Sequence, residues 1–214
     1  MTARSFGQRV RRNEDARLLT GRAMFVDDVS LPGMLHVAFV RSIVAHGKLN
    51  GTDVTAALER PGVVAVYTAG DLGDYCKPGP VLVNPPPVPG HVFHGCTQLP
   101  LAKDKVRYVG EPLAMIVAES RYVAEDALAD VIVDIDPIDA VNDLEAAMKP
   151  SAPLVHPHLT SNLAAHVVQR KGDYAKARAA ADVVVKRRFL YDRGVAAAME
   201  NRAVAVDWIR APKR

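Results

Sequence analysis

The chain has 214 residues, of which 49% are hydrophobic and 24% charged, with a formal net charge of +3. That is the composition of an ordinary globular protein with room for one large domain or two modest ones around a real core. So small a charge argues against nucleic acid or an anionic membrane surface as partner, and 6% aromatic residues argue against base-stacking platforms.

Positive charge gathers at the start, in Arg4, Arg9, Arg11, Arg12, Arg17 and Arg22. Arg11-Arg12 is not a twin-arginine export signal, because Asn13-Glu14-Asp15 follows in place of an apolar stretch. No window reaches the length of a membrane-spanning helix, so a cytoplasmic protein is expected. Cys76 and Cys96 are then expected as free thiols, since nothing points to an oxidising compartment.

In chain order, Asp27-Asp28 precedes a Leu31-Pro32-Gly33 turn, and these carboxylates read as turn caps rather than an acid–base pair. Met34 to Ile43 reads as a strand with Leu35, Val37, Phe39 and Arg41 on one face and His36, Ala38 and Val40 on the other. Both faces are largely apolar, which predicts a central strand. Thr52 to Glu59 reads as a short helix, and Val63 to Thr68 as a β-branched strand. Asp71 to Pro100 holds seven of the fifteen prolines, including Pro85-Pro86-Pro87, and predicts a polyproline-like surface loop.

Regular pattern returns with strands over Val106–Val109 and Pro112–Ala118 around a Gly110-Glu111-Pro112 bend. A helix capped by Ser120 runs to Asp130, and a strand follows over Val131–Ile135. This order predicts a mixed α+β domain. Beyond a linker with Pro150, Pro153 and Pro157, the pattern predicts an alanine-rich helix after Gly172-Asp173-Tyr174. Strands over Asp182–Tyr191 and Ala203–Ile209 complete it. One helix and two strands make a poor independent core, so this region is expected to expose apolar surface.

Chemistry-bearing patterns are sparse. His91, His94 and Cys96 have metal-ligand identities at short spacing, and His156 and His158 form a second pair in a different region; loop histidines are the expectation. His36 and His46 read as core or edge residues. No nucleophile elbow, phosphate-binding loop or dinucleotide fingerprint occurs, so no catalytic or metal-ligating residue is assigned. Glu200 and Arg202, one residue apart in Met199-Glu200-Asn201-Arg202, are candidates for a substrate pocket or a loop-holding pair.

Two blocks carry a resemblance. Gly21, Phe25, Asp28, Leu31-Pro32-Gly33, Arg41-Ser42 and Ala45-His46 form the first; Val106, Tyr108, Val109-Gly110-Glu111-Pro112, Tyr122, Ala124 and Asp126-Ala127 form the second. In order and spacing they resemble the N-terminal α/β hammerhead domain of the molybdenum hydroxylase large subunits, the family of xanthine dehydrogenase, aldehyde oxidase and carbon monoxide dehydrogenase. Gly172-Asp173, Ala181-Asp182-Val183-Val184 and Met199-Glu200-Asn201-Arg202-Ala203 resemble the start of that family's molybdopterin-binding portion. The chain departs from the family at Ile43 and Asn201, both in place of proline, and at Ile135-Asp136-Pro137-Ile138-Asp139.

The resemblance implies a hammerhead domain over 8–148, with its proline-rich loop at 73–100, and an incomplete molybdopterin-binding region over 149–214. It implies an N-terminal portion or split subunit of a molybdopterin-dependent hydroxylase, inactive alone. The molybdenum cofactor is expected only in the complete enzyme, with FAD and 2Fe-2S clusters on partner subunits or domains. Expected partners are the remainder of the large subunit and the FAD-binding and iron–sulfur subunits, in an oligomer. The last residues, Trp208 to Arg214, read as a strand cut short by a basic tail. The alternative is a non-catalytic hammerhead module serving as an interaction or scaffold domain.

Overall fold

A computed structural model describes residues 7–80, 89–191, 194, 197–198 and 200–208. They divide into two compact units, Leu35–Asp182 and a smaller one drawn from Met1–Met34 and Val183–Arg214. The helix-and-strand mixture is the α+β class that the sequence pattern predicts.

The larger unit is built on two three-stranded antiparallel sheets. Its strands are β1 (His36–Arg41), β2 (Gly47–Asp53), β3 (Val63–Thr68), β4 (Val92–Phe93), β5 (Lys105–Val106), β6 (Pro112–Ala118), β7 (Ile132–Pro137) and β8 (Ala165–His166). One sheet has the order β1-β6-β3, the other β5-β2-β7, and β4 pairs with β8 as a separate ribbon.

The centre of the first sheet is β6, in which Leu113, Ala114, Ile116 and Ala118 are buried almost completely. Its run of apolar residues is what a strand covered on both sides requires. The expectation that His36–Arg41 is central is corrected: β1 lies at an edge, paired among the described residues with β6 alone. Val40 turns inward, whereas Val37 and Phe39 are 50% and 37% exposed, and the Arg41 guanidinium lies 5.6 Å over the Phe39 ring. Apolar character on both faces thus reflects an exposed outer face and not two-sided burial.

β2 has no strand signal in the sequence. Its residues, Gly-Lys-Leu-Asn-Gly-Thr-Asp, are polar and glycine-containing, yet β2 is the middle strand of the second sheet. Tertiary pairing overrides its weak strand propensity. Close approach explains Gly47: a Cβ there would sit 2.5 Å from Ile135 Cγ2 and 2.9 Å from the Asp136 carbonyl oxygen.

Helices α2 (Thr55–Glu59), α3 (Ala69–Leu72), α4 (Arg121–Asp126), α5 (Leu144–Ala147) and α6 (Tyr174–Ala179) are all short. The predicted Thr52–Glu59 helix starts later, because Thr52 and Asp53 belong to β2 and the Asp53 carboxylate accepts the Thr55 N–H at 2.9 Å. Ser120 caps α4 as expected, accepting the Val123 N–H at 3.2 Å. The helix then tightens into a 3₁₀ turn over Ala127–Asp130. A single core gathers Val40, Ala57, Val66, Val106, Leu113, Ile116 and Ala127, so both sheets and the α2 and 127–130 elements share it.

The proline-rich segment is not wholly irregular. Its described parts include α3, a 3₁₀ turn at Gly73–Tyr75 and strand β4. Pro85-Pro86-Pro87 lies outside the described residues.

In the smaller unit, α1 (Asp15–Leu19) is followed by a 3₁₀ turn over Val26–Asp28, where the Asp28 carboxylate accepts the Phe25 N–H at 2.9 Å. The Asp28 carboxylate thus caps the turn it belongs to, whereas the expectation was a cap on the Leu31-Pro32-Gly33 turn that follows. The strands predicted over Asp182–Tyr191 and Ala203–Ile209 are not formed in their described parts; Ile209 itself lies outside them. Phe189, Leu190, Tyr191, Val204 and Trp208 are all more than 80% exposed. β-Branched and aromatic residues adopt a strand only where a neighbouring edge supplies hydrogen bonds and a packing face.

Candidate functional site

The two sequence blocks meet at one backbone junction. β1 and β6 pair from His36↔Ala118 to Arg41↔Pro112, with an irregularity between Val40 and Arg41. Just beyond, the Ser42 N–H donates to the Glu111 carbonyl at 2.9 Å and the Gly110 N–H to the Ser42 carbonyl at 2.7 Å. Arg41 Nη1 adds a bond to the Gly110 carbonyl at 2.9 Å. Gly110 has φ of +90°, a conformation that glycine reaches without a Cβ penalty. The Arg-Ser and Gly-Glu-Pro motifs are therefore complementary halves of one turn. Ser42 is buried and its hydroxyl is engaged with Val44, so it is no nucleophile.

His46 is equally structural. It is 3% exposed, its Nδ1 lies 2.9 Å from the Asp139 carbonyl, and its own carbonyl accepts the Ile138 N–H at 2.8 Å.

The chemistry-bearing side chains converge elsewhere. A cavity of about 390 Å³ in the larger unit is walled by Cys96, Arg107, Tyr108, Glu111, His156 and His158, among others. The β4–β8 ribbon explains this convergence. It pairs Val92 with His166 and Phe93 with Ala165, and the His94 N–H continues it to the Ala164 carbonyl at 3.0 Å. His91 Nε2 lies 3.1 Å from the Val168 carbonyl. Asn162 gathers the intervening loop, accepting the Val155 N–H and donating to the Ala147 and Pro153 carbonyls.

As a result Cys96 Sγ lies 3.8 Å from His158 Nε2, and the His156 and His158 rings meet edge-on at 5.7 Å. The expectation that His156 and His158 lie in a region apart from Cys96 is corrected: His158 meets Cys96, and His91 and His94 make other contacts. Among the described residues no three His, Cys, Asp or Glu side chains are disposed to hold one metal ion. Both cysteines are free thiols, as expected.

Electrostatics in the cavity are mixed. Burial, with the positive charges of Arg107, His158 and Lys105, pushes the His156 imidazole below its ordinary pKa. Burial next to the Glu111 carboxylate pushes the Tyr108 phenol up, although Arg41 opposes this. Glu111 is 3% exposed and accepts the Arg107 N–H at 2.6 Å, while Arg107 Nε is buried without a hydrogen-bond partner.

Glu200 and Arg202 belong to the smaller unit. Glu200 Oε1 accepts the Val26 N–H at 3.1 Å, and both side chains are exposed. Met199, between them and the preceding segment, lies outside the described residues. That bond across 174 positions was not legible, since only the turn cap at Asp28 had a local signal.

Comparison with known proteins defines the class. Residues 20–139 match the family model described as the aldehyde oxidase and xanthine dehydrogenase a/b hammerhead domain. The chain belongs to this oxidoreductase family, as the two sequence blocks imply. It is 36% identical over 211 residues to the nicotine 6-hydroxylase large subunit of Paenarthrobacter nicotinovorans, covering 97% of this chain and 25% of that protein. It is 41% identical over 149 residues to the carbon monoxide dehydrogenase large chain of Afipia carboxidovorans, covering 70% of this chain and 17% of that one. The quinoline 2-oxidoreductase structure from Pseudomonas putida 86 superposes with a TM-score of 0.63 at 38% identity, over 72% of this chain and 19% of that chain. The chain spans about a quarter or less of the length of these relatives, several of which are named as subunits of larger assemblies.

Proposed function

We propose that these 214 residues are the N-terminal portion, or a split subunit, of the large subunit of a molybdenum hydroxylase. The observation carrying this is the span of similarity: it runs along 97% of the chain, well past the hammerhead segment 20–139, onto a large subunit about four times longer. A free-standing hammerhead scaffold gives no reason for similarity to continue beyond residue 139.

In this reading segment 8–148 is the hammerhead domain and 149–214 opens the molybdopterin-binding region. The whole enzyme hydroxylates an aldehyde, an aromatic heterocycle or carbon monoxide, and electrons leave through 2Fe-2S clusters and FAD on partner subunits in an oligomeric, cytoplasmic assembly. Molybdopterin supplies the oxygen-transfer chemistry when bound. The residues at hand do not fit it: the cavity offers one glycine, Gly95, and one guanidinium, rather than a run of backbone N–H donors for a phosphate. Cofactor-holding residues are accordingly assigned to sequence beyond this chain. Glu200 and Arg202 are proposed to stand near the substrate pocket of the complete enzyme, with the Glu200–Val26 bond fixing that segment. No helix among the described residues is long and apolar enough to cross a membrane.

The test is co-expression with the sequence encoding the rest of a large subunit, followed by assay of the purified complex for molybdenum and pterin. Cofactor-loaded complex is expected; failure to associate would overturn the subunit reading. Within a loaded complex, E200Q and R202M are expected to raise KM more than they lower kcat.

A further inference from the structure

Cys96 is one of two free thiols, and the pair serves as its own control. Cys76 is partly buried, and its Sγ donates to the Leu101 carbonyl at 3.5 Å. Cys96 is exposed on the wall of the 390 Å³ cavity, with His158 Nε2 3.8 Å from its sulfur. A thiol beside an imidazole that can take its proton is the general arrangement of an activated sulfur nucleophile. The imidazole is held in turn, since His156 packs edge-on against it.

The cavity also has a place for a charged group. Arg107 lines it, with Nη1 donating to the Lys105 carbonyl at 3.3 Å. The Glu111 carboxylate on the wall accepts the Arg107 backbone N–H, and Tyr108 and His156 also line the cavity. A guanidinium on the wall, with its planar fork of donors, favours an incoming carboxylate.

We propose that Cys96 is a thiol-modification site, and that the cavity receives a low-molecular-weight disulfide bearing carboxylates. The Cys96 S–H proton passes to His158 Nε2, and the thiolate attacks one sulfur of R–S–S–R. A Cys96–S–S–R bond forms as the S–S bond of the small disulfide breaks, and the departing R–S⁻ recovers the proton. Cys96 is oxidised, the small disulfide is reduced to one thiol and one mixed disulfide, and no other reactant is needed. This assignment is independent of the hydroxylase reading.

The experiment treats the reduced chain with oxidised glutathione at neutral pH and follows adducts on the Cys96 and Cys76 peptides by mass spectrometry. Cys96 is expected to react several-fold faster than Cys76. H158Q is expected to slow Cys96 roughly threefold or more, because the base beside the sulfur is removed, and to leave Cys76 unchanged. R107M is expected to slow oxidised glutathione but not neutral 2-hydroxyethyl disulfide. Circular dichroism confirms that the variants fold, and Cys76 reactivity reports any loosening of the loop. An unchanged Cys96 rate in folded H158Q would overturn the site, and equal slowing of both disulfides by R107M would overturn the carboxylate preference.

Discussion

Arg60 clasps Asp130 with two parallel hydrogen bonds, Nε to Oδ2 at 2.5 Å and a terminal nitrogen to Oδ1 at 3.1 Å. The pair ties the end of α2 to the 3₁₀ turn after α4, elements whose Ala57 and Ala127 are wholly buried in the core. Its fork geometry makes it more specific than the exposed Arg12–Asp15 and Arg17–Glu14 pairs nearby in sequence to α1.

The clasp gives a pH signature. The Arg60 hydrogen bond holds the Asp130 carboxyl below its usual range. A depressed folded-state pKa stabilises above the unfolded value of about 3.9, and that contribution disappears as pH falls from there through the folded value. D130N is therefore expected to melt below the parent protein at pH 7. The gap should close on acidification below about pH 4, as followed by circular dichroism.

Gly47 should resist replacement. G47A must displace Ile135 or part β2 from β7, because the added methyl would lie closer than van der Waals contact to both Ile135 and the Asp136 carbonyl. A loss of about 1–3 kcal/mol in urea unfolding is expected, the range for overpacking a filled site.

The core strand gives a larger effect. Ile116 has no exposed surface and sits at the centre of β6 between β1 and β3. I116A is expected to cost about 2–5 kcal/mol, whereas V37A on the exposed outer face of the same sheet should stay within about 0.5 kcal/mol. Denaturant midpoints would decide.

His156 offers a local probe. Burial first, then Arg107, His158 and Lys105, disfavour its protonated form. Its imidazole should titrate below about 6.5 by NMR, and R107M should move the midpoint up. Because the folded pKa is depressed, its contribution to stability is present above about pH 6.5 and fades as pH falls through the folded value.

Much of the fold was legible from local pattern. The β3 and β6 strands, the Ser120 cap and the Gly110 bend each have their cause within a few residues: β-branching, an apolar run, a hydroxyl acceptor, a missing Cβ. β2 was hidden because its residues lack strand character and are held by β5 and β7 on either side. The Val183–Tyr191 segment misled in the opposite direction, having strand character without a partner edge among the described residues.

The sequence by itself determined the family, because the Arg-Ser and Gly-Glu-Pro motifs encode a turn whose two halves must match in order and spacing. Tertiary structure alone decided that those motifs bond to each other through Ser42, Gly110 and Glu111, and that Cys96 meets His158 across 62 positions. The physical reason is range. Backbone preference acts over a few residues, whereas the position of a sulfur against an imidazole is set by the pairing of β4 with β8, which no local propensity specifies.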